Sequence, residues 1–346
     1  MAGRTGRGRP TIAQIAQRTG VSAGAVSYAL NGRPGVSDET RARILAVAKE
    51  LGWAPSAAAR ALRGGGTATV GLVITREPAM LGIEPFFMTF VAGIEEVLSD
   101  RGYALLLQVT PDPDREAKTY REWWSANRVD GIFLTDLAID DPRLDILEDI
   151  GLPAVVVGEP AYARDFAAVG SDDAGAARAA MRRIAELGHR RVAHVAGPES
   201  FVHTRVRSAA MLEIGAELGM DVVAEVNTDY SLQAGVTACE DLLARDEPPT
   251  AILFDNDLTA VGAVRAATAR GVRVPDDLSI LAWDDSPLCQ LSDPPLSALR
   301  RDILAYGEDA ARTLLRLVDG DGVTQSVRTS TATLVERGSL GRAPRA

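Results

Sequence analysis

Cysteine, histidine and lysine are scarce in this chain, whose 346 residues include two cysteines, three histidines and two lysines. Cys239 and Cys289 lie far apart and without metal-ligand spacing, so neither a disulfide framework nor a zinc site is expected. No apolar run reaches the roughly 18–20 residues that a membrane-spanning helix needs. The basic N-terminal segment is not followed by the apolar core of a secretory signal. These absences predict a soluble, cytoplasmic protein with no metal, no cofactor and no membrane partner.

The charges of the chain are divided unevenly along its length. Overall, 37 basic and 47 acidic residues give a net charge of −10, which by itself argues against binding to nucleic acid. Residues 1–66, however, hold ten Arg and Lys against three Asp and Glu, a net charge of +7. The remaining 280 residues hold 27 against 44, a net charge of −17. This asymmetry predicts an anion-binding module joined to an acidic body, and the length suits two or three domains.

The basic N-terminal segment shows apolar residues at helical spacing. Thr11 and Ser37 are placed to cap the first and third of its predicted helices. Residues 12–27 predict a helix, a tight turn at Gly20 and a second helix beginning at Ser22, which suits insertion into a DNA major groove. An ordinary helical hairpin in a larger core would show the same spacing. The basic charge of the segment and its Gly/Arg-rich beginning favour DNA binding instead.

Three consecutive glycines, Gly64 to Gly66, mark a predicted domain boundary, after which short β-rich runs alternate with helical ones. The predicted strands are Thr69–Ile74, Tyr103–Val109, Gly131–Thr135, Ala154–Gly158, Arg191–Ala196, Thr250–Phe254 and Leu278–Trp283. The predicted helices are Phe87–Arg101, Asp114–Asn127, Asp173–Leu187, Val202–Leu218, Leu232–Arg245, Asp257–Arg270 and Ile303–Val318. Apolar strands separated by helices indicate parallel sheets covered on both faces, and about 270 residues of this pattern favour two lobes.

Polar and mostly acidic residues follow the predicted strands, at the edge where open parallel sheets bind their ligands. They include Arg76, Thr110, Asp136, Glu159, Asp255, Asn256, Asp257, Asp284 and Asp285. Because carboxylates accept hydrogen bonds from hydroxyl groups, this set predicts a cleft for a hydroxyl-rich small molecule.

Motifs of a single family occur along nearly the whole chain. In the N-terminal segment they are Thr11-Ile-Ala-Gln-Ile-Ala, Gly20-Val-Ser, Ala25-Val-Ser-Tyr-Ala-Leu-Asn-Gly, Leu51-Gly-Trp-Ala-Pro and Ala59-Arg-Ala-Leu-Arg. In the body they are Val129-Asp-Gly, Leu187-Gly-His, Ala196-Gly-Pro, Asn256-Asp and Trp283-Asp-Asp. With these motifs the chain resembles the lactose-repressor (LacI/GalR) family of bacterial transcription regulators.

The resemblance implies an α/β protein with an N-terminal all-α helix-turn-helix headpiece and a two-lobed periplasmic-binding-protein-like domain with parallel sheets. The expected divisions are a flexible basic arm (1–9), the DNA-binding headpiece (10–54), a hinge helix and linker (55–66) and an effector-binding and dimerisation domain (67–340). The expected partners are a pseudo-palindromic double-stranded DNA operator, a small-molecule effector of the carbohydrate class and a second copy of the chain, giving a homodimer.

The family's DNA contacts fall on Thr11, Ser22, Ala23, Gly24, Ser27, Tyr28, Asn31, Ala59 and Leu62 of this sequence. The resemblance places Ala23, Gly24 and Tyr28 at base-reading positions. It places Ser22, Ser27 and Asn31 at phosphate contacts. Leu62 corresponds to the hinge leucine that wedges into the minor groove, whereas in a plain interdomain linker it would pack on the body. Tyr28 stands where family members often have arginine, so arginine readout of guanine is not expected.

The family's pocket positions fall on Phe86, Phe87, Glu159, His203, Arg207, Tyr230, Asn256 and Asp284. Arg207 and Asp284 are expected to clamp ligand hydroxyls through charge-assisted hydrogen bonds, and Tyr230 to stack on a ring face. Each position has a structural alternative: Asn256 would cap a helix, Phe87 would belong to the core and His203 would lie on a helix surface. The loop Arg76–Glu84 departs from the common form of the family.

These features predict a sequence-specific transcription regulator and favour a repressor controlled by an effector. A secreted solute-binding protein would explain the body but not the basic helical head. A haloacid-dehalogenase-like phosphatase is a further alternative, because Asp255-Asn-Asp257-Leu-Thr259 fits its D-x-D-x-T motif. Both lysines, Lys49 and Lys118, precede that motif, so the downstream lysine of such an enzyme is missing. We therefore expect no catalytic residues and no enzyme activity.

Overall fold

The computed structural model describes residues 10–53, 66–321 and 326–345 of the chain. The chain divides into two compact units, Met1–Thr67 and Ala68–Ala346. None of the helices in the described ranges has the length and apolar character needed to cross a membrane.

The described part of the first unit folds into helices α1 (Ile12–Thr19), α2 (Ala23–Leu30) and α3 (Asp38–Glu50). The two predicted caps are confirmed: Thr11 accepts a hydrogen bond from the Gln14 amide in a reciprocal capping box, and Ser37 accepts one from the Thr40 amide. Gly20 ends α1 in the left-handed conformation, at φ 68°, and so turns the chain into α2. The helices share a small core of Ile15, Val26, Ala29, Ile44 and Ala48.

The second unit alternates strands with helices. Its strands are β1 (Thr69–Thr75), β2 (Ala104–Thr110), β3 (Gly131–Leu134), β4 (Ala154–Val157), β5 (Ala167–Gly170), β6 (Arg191–Ala196), β7 (Asp221–Asn227), β8 (Ala251–Phe254), β9 (Ser279–Trp283), β10 (Ser297–Arg300), β11 (Val327–Arg328) and β12 (Thr333–Val335). Its helices are α4 (Pro78–Leu81), α5 (Pro85–Arg101), α6 (Pro113–Ser125), α7 (Pro142–Ile150), α8 (Asp173–Glu186), α9 (Val202–Glu217), α10 (Leu232–Leu243), α11 (Asp257–Ala269), α12 (Pro287–Leu291) and α13 (Ile303–Val318).

These strands form two six-stranded sheets, one in each lobe. The first lobe has the order β11-β5-β4-β3-β1-β2, with every pair parallel. The second has the order β12-β10-β9-β8-β6-β7, parallel except for the antiparallel pair of β12 and β10. Buried apolar clusters cover both faces of each sheet, as the sequence predicts for strands that are apolar throughout.

The chain passes between the lobes three times. It leaves the first sheet after β5, and the next helix, α8, packs on α9 in the second lobe. It returns after β10, because α13 packs on α5 in the first lobe, and it crosses again between β11 and β12. The segments 171–172, 301–302 and 329–332 therefore connect the lobes. Each contributes side chains to the cleft described below.

Two glycines allow α5 and α13 to cross closely. A Cβ atom on Gly93 would lie 2.1 Å from the carbonyl oxygen of Leu304, and one on Gly307 would lie 2.2 Å from that of Phe90. Both distances are far below van der Waals contact. Only glycine therefore fits at this crossing.

All seven predicted strands and all seven predicted body helices are confirmed, with ends that differ by at most two residues. The prediction missed elements that are short or weakly apolar: β5, β7, β10, β11, β12, α4, α7 and α12. For example, β5 is the four-residue segment Ala-Ala-Val-Gly, and it is a strand because β4 and β11 pair with it on both sides. Such a segment carries almost no periodicity of its own.

Candidate DNA interface and effector site

The second helix of the headpiece presents a small, uncharged surface to solvent. Ser22 caps α2 by accepting a hydrogen bond from the Ala25 amide, so the helix begins where the sequence predicts. Along the next two turns Ala23, Gly24 and Tyr28 are exposed, Tyr28 at 47%. All three positions lie outside the headpiece core and are accessible to solvent, as the predicted contact with base edges requires.

The remaining headpiece candidates surround this surface. Thr11 and Asn31 are exposed, and Ser27 is half-buried. The Asn31 amide donates to the Ser27 carbonyl oxygen at 2.5 Å, which fixes its side chain at the end of α2. Arg41 of α3 donates to the carbonyl oxygens of Ala29 and Arg33, at 3.0 and 2.6 Å, so this cation holds the turn after α2. Two candidates, Ala59 and Leu62, and the basic arm 1–9 lie outside the described residues.

A cavity of about 620 Å³ lies within the second unit, at the carboxyl ends of the strands of both lobes. Seven of the eight predicted effector contacts line it: Phe86, Glu159, His203, Arg207, Tyr230, Asn256 and Asp284. The eighth, Phe87, is 1% exposed and belongs to the core of the first lobe. The prediction for Phe87 is therefore corrected. Phe86 and Phe87 point in different directions from the first turn of α5, and the structure directs Phe87 into the core and Phe86 toward the cleft.

Arg207, on α9, is held rigidly at the base of the cavity. Its Nε and Nη2 each lie 2.9 Å from Asp173 Oδ2, and its Nη1 donates to the Asp255 carbonyl oxygen at 3.3 Å. The guanidinium carbon lies 3.8 Å from the centroid of the Trp283 ring. A cation stacked in this way keeps a planar face toward the cleft, suited to polar ligand groups.

Ion pairs hold two further predicted contacts, Asp284 and Glu159. Asp284, which follows β9, pairs with Arg301 at 3.0 Å, and Arg301 lies over the Phe86 ring at 5.2 Å. This arrangement joins a carboxylate of the second lobe to an aromatic ring of the first through a connecting segment. Glu159 pairs with Arg328. Arg301, which was not among the predicted site residues, therefore lines the cleft in contact with two of them.

Tyr230, His203 and Asn256 form one hydrogen-bonded group. His203 Nε2 lies 2.7 Å from the Tyr230 hydroxyl oxygen, and the Asn256 amide donates to the Tyr230 carbonyl oxygen at 3.2 Å. The side-chain oxygen of Asn256 accepts from the Thr259 amide, so Asn256 caps α11 while it lines the cavity. Burial and the cation of Arg207 lower the pKa of His203 to about 4. His203 is therefore neutral at physiological pH.

The first lobe contributes a charged group at the end of β1 that was not among the predicted effector contacts. Arg76, directly after β1, pairs with Asp136 at 2.8 Å and with Glu84 at 3.3 Å. Its guanidinium lies 5.1 Å from the centroid of the Phe87 ring and 5.6 Å from that of Tyr230, which belongs to the other lobe. Burial raises the pKa of Glu84 to about 7 although Arg76 opposes this. The loop that departs from the family form thus places an ion pair in the cleft.

The phosphatase alternative fails at its first aspartate. Asp255 is 3% exposed, and its carboxylate lies 2.9 Å from His194 Nε2 and accepts from the Gly197 amide at 3.2 Å. Burial opposes the charge of Asp255, but His194 and Arg207 outweigh it and lower the pKa to about 2. A nucleophile needs a free carboxylate oxygen facing the substrate, and both oxygens of Asp255 are engaged. Within the described ranges, no group of three metal-ligating side chains occurs to hold a magnesium ion.

Each of the two units matches the profile of a known protein family. The profile of the family described as "Bacterial regulatory proteins, lacI family" matches residues 11–56. The profile described as "Periplasmic binding protein-like domain" matches residues 181–340. The fold and the matches define a bacterial transcription regulator with a helix-turn-helix headpiece and a two-lobed ligand-binding body.

Several characterised relatives align over almost their full length. The HTH-type transcriptional regulator CelR of Thermobifida fusca is 34% identical over 328 residues, which cover 93% of this chain and 95% of the relative. The HTH-type transcriptional repressor CytR of Escherichia coli (strain K12) is 30% identical over 337 residues, covering 96% and 97%. This chain belongs to the LacI family.

Two solved structures share the fold at similar coverage. The CelR–cellobiose complex has a TM-score of 0.73 and 31% identity, covering 96% of this chain and 100% of that one. The lac repressor dimer bound to operator and the anti-inducer ONPF has a TM-score of 0.84 and 26% identity, covering 96% and 99%. The relatives named here are regulators rather than enzymes, and a headpiece of this kind sets the chain apart from a solute-binding protein.

Proposed function

We propose that this chain is a dimeric repressor whose affinity for a pseudo-palindromic operator changes when a small carbohydrate binds between the lobes of its body. The observation that carries the proposal is the cleft itself, where Arg207 is fixed by Asp173 and Trp283 and faces a cavity of about 620 Å³. That volume falls within the range of roughly 300–1,000 Å³ typical of small-molecule sites.

The DNA-binding part of the proposal rests on the exposed face of α2. Ala23 and Gly24 carry no hydrogen-bonding side-chain groups, so they read bases by methyl contact and close approach. Tyr28 offers a ring and a hydroxyl to the groove. Ser22, Ser27 and Asn31 carry short polar side chains at its edges, which suit phosphate oxygens. Thr11, Ala59 and the hinge leucine Leu62 complete the proposed contact set. Two headpieces on one operator require the dimer.

The chemistry of the cleft favours a neutral, hydroxyl-rich ligand. The buried carboxylate Asp173 and the half-buried Asp284 are already paired with Arg207 and Arg301. Acidic side chains outnumber guanidinium groups around the cleft, which disfavours an anionic ligand. Paired carboxylates and guanidinium groups still accept from and donate to hydroxyl groups. The rings of Phe86 and Tyr230 line opposite lobes and suit the apolar faces of a sugar ring. A cellobiose complex of the relative CelR supports a carbohydrate.

The connecting segments offer a physical route from ligand to DNA. Arg301 lies in one of the three connections and contacts Asp284 in one lobe and the Phe86 ring in the other. A ligand that binds one arrangement of the lobes more tightly shifts the population toward it. If the two arrangements space the hinges differently, a coupling of ~1–3 kcal/mol changes operator affinity about 5–150-fold.

We further infer that the cleft binds its ligand without converting it. The first aspartate of the phosphatase-like motif is committed elsewhere, because His194 and the Gly197 amide engage the two carboxylate oxygens of Asp255. The relatives named above are described as regulators, which supports the same inference.

The proposal is tested by calorimetric titration of the full chain with glucose, cellobiose, maltose, sucrose and a nucleoside as a non-carbohydrate control. We expect saturable binding of at least one carbohydrate, and loss of that binding in Arg207→Ala. Binding of the nucleoside alone, or carbohydrate binding unchanged in the variant, would contradict the proposed site.

A further inference from the structure

A buried ionic chain connects the edge of the second lobe to Arg207. His194 on β6 lies between two carboxylates: its Nε2 is 2.9 Å from Asp255 Oδ1, and its Nδ1 is 3.7 Å from Glu225 Oε2 on β7. The Ser208 hydroxyl oxygen is 3.4 Å from the same Nδ1. On its far side, Asp255 Oδ1 lies 3.6 Å from Arg207 Nη1. His194 is therefore linked to Arg207 through the Asp255 carboxylate.

The buried charges of this cluster, those of Arg207, Asp173, Asp255 and His194, balance if His194 is an imidazolium. Arg207 is buried beside two carboxylates, Asp173 and Asp255, which together leave one negative charge uncompensated. Burying an unpaired charge is strongly unfavourable. A second proton on His194 supplies the missing cation, and both of its ring nitrogens face acceptor atoms, as that proton requires. Glu225, partly exposed, adds a further carboxylate at the solvent side.

We propose that His194 is a positioning residue for effector binding: as an imidazolium it holds the Asp255 carboxylate, and through it the Arg207 guanidinium, in the orientation that faces the ligand. This inference rests on the proposed role of Arg207 as an effector contact. The side chain of His194 is 1% exposed and does not line the cavity, so it acts on the ligand only by placing other groups.

The neighbouring groups make the ionisation of His194 separable from that of the other histidines. Burial alone would lower the pKa of His194, but Asp255 and Glu225 outweigh it and raise the pKa to about 9. Burial lowers the pKa of His189, and burial together with Arg207 lowers that of His203. The other charged or titratable groups facing the cluster are Asp173 on α8, Arg207 and His203 on α9, Tyr230 after β7 and Arg301 after β10. Arg207 and Arg301 lower the pKa of Asp173, nearby carboxylates raise the pKa of Arg207 and Arg301, and burial raises that of Tyr230, so none of these groups titrates between pH 7 and 10. A change between pH 7 and 10 at this site is therefore the loss of a proton from His194.

The stacking of Arg207 on Trp283 provides a readout that needs no ligand. With 5-fluorotryptophan in place of tryptophan, the ¹⁹F signal of Trp283 is assigned by its loss in Trp283→Phe, and Arg207→Ala gives the shift of an unstacked ring. We expect His194→Leu to move the signal toward that of Arg207→Ala. His194→Gln keeps an N–H donor for Asp255 but not the positive charge. It should move the Trp283 signal part of the way from the wild-type position toward that of Arg207→Ala. His189→Gln is the matched control, because His189 binds Thr250 and Gly341 away from the cleft. This variant should leave the Trp283 signal unchanged.

The pH profile of the wild-type chain keeps the test decisive even if His194→Leu fails to fold. The Trp283 signal should move toward its His194→Gln position as pH rises through about 9, and His194→Gln should lack this transition. Nitrogen-15 histidine spectra should show one imidazolium that persists at pH 8. A His194 that is neutral at pH 7, or a Trp283 signal unmoved in His194→Gln, overturns the proposal. Neither measurement uses an effector. If the chain bound no carbohydrate, the proposed function would be contradicted, and these two measurements would still decide the role of His194.

Discussion

The guanidinium carbon of Arg207 lies 3.8 Å from the centroid of the Trp283 ring, and the two residues come from different elements, α9 and the end of β9. Trp283 is fully buried, so it provides a fixed surface on which the cation rests. Asp173 and Asp255 hold the same guanidinium from the other directions. A side chain fixed on three sides loses little further freedom when a ligand binds, which favours affinity and selectivity.

Replacing Arg207 should separate effector binding from DNA binding. Arg207→Ala should abolish the response of operator affinity to the effector while leaving operator affinity without effector within about threefold. The variant should also lose ~3–5 kcal/mol of unfolding free energy, because Asp173 and Asp255 are left buried without their cation. Arg205→Ala, on the exposed face of the same helix, is the matched control. Fluorescence anisotropy of a labelled operator duplex measures the first effect and denaturant titration the second. An unchanged effector response in Arg207→Ala would show that the pocket lies elsewhere.

Replacing Gly24 tests the recognition helix, because it should change the stability of the headpiece and its affinity for the operator in opposite directions. A Cβ atom there would meet only the Ser22 hydroxyl oxygen, at 3.8 Å, and no other heavy atom within 4 Å. Gly24→Ala should therefore stabilise the headpiece by up to ~1 kcal/mol through helix propensity. Operator affinity should fall if the backbone of this turn approaches the bases closely. Thermal unfolding followed by circular dichroism measures stability, and anisotropy measures affinity. Destabilisation by Gly24→Ala would contradict the exposed placement of this position.

Glu84 should make stability depend on pH. Its pKa in the folded chain, about 7, lies above its ordinary value of 4.5, so folding favours the protonated carboxyl. The stability that this proton provides is complete below pH 4.5 and is lost as pH rises through 7, amounting to ~2–3 kcal/mol. Glu84→Gln lacks this loss and should gain stability relative to wild type between pH 5 and pH 8. Glu77→Gln, exposed in the same loop, is the control. Chemical denaturation across this pH range measures the difference, and parallel curves for the two proteins would contradict it.

Leu62→Ala tests the hinge that the resemblance to the family predicts. The variant should weaken binding to the operator while sparing binding to random duplex DNA, because a minor-groove wedge acts only on a kinked, specific site. Competition with non-specific DNA at fixed salt measures both affinities. An equal loss of both would exclude the wedge.

The sequence predicts the fold well because the strands of parallel sheets are apolar throughout, as in Ala154–Val157 and Ala251–Phe254. It predicts less of the site, because partners there depend on which strands are neighbours. Arg76 and Asp136 both follow strands, but they meet because β1 pairs with β3. His194 and Asp255 meet because β6 pairs with β8.

Arg301 was missed for a different reason. It follows β10, Ser-Ala-Leu-Arg, which is too short and weakly apolar to be recognised as a strand from sequence. Its role therefore depends on a chain crossing that no local pattern reveals. By contrast, Arg207 and Asp284 could be predicted as cleft residues from the sequence because they match pocket positions of the family, and both line the cavity.

A repressor controlled by a carbohydrate must change its operator affinity when that carbohydrate binds. The full chain is used to select its site from randomised duplex DNA, and binding to the selected duplex is followed by fluorescence anisotropy with and without each sugar of the calorimetric panel. We expect a pseudo-palindromic site and an operator affinity that changes about 5–150-fold with at least one carbohydrate. Selection of no specific sequence, or an affinity that a bound carbohydrate leaves unchanged, would contradict it.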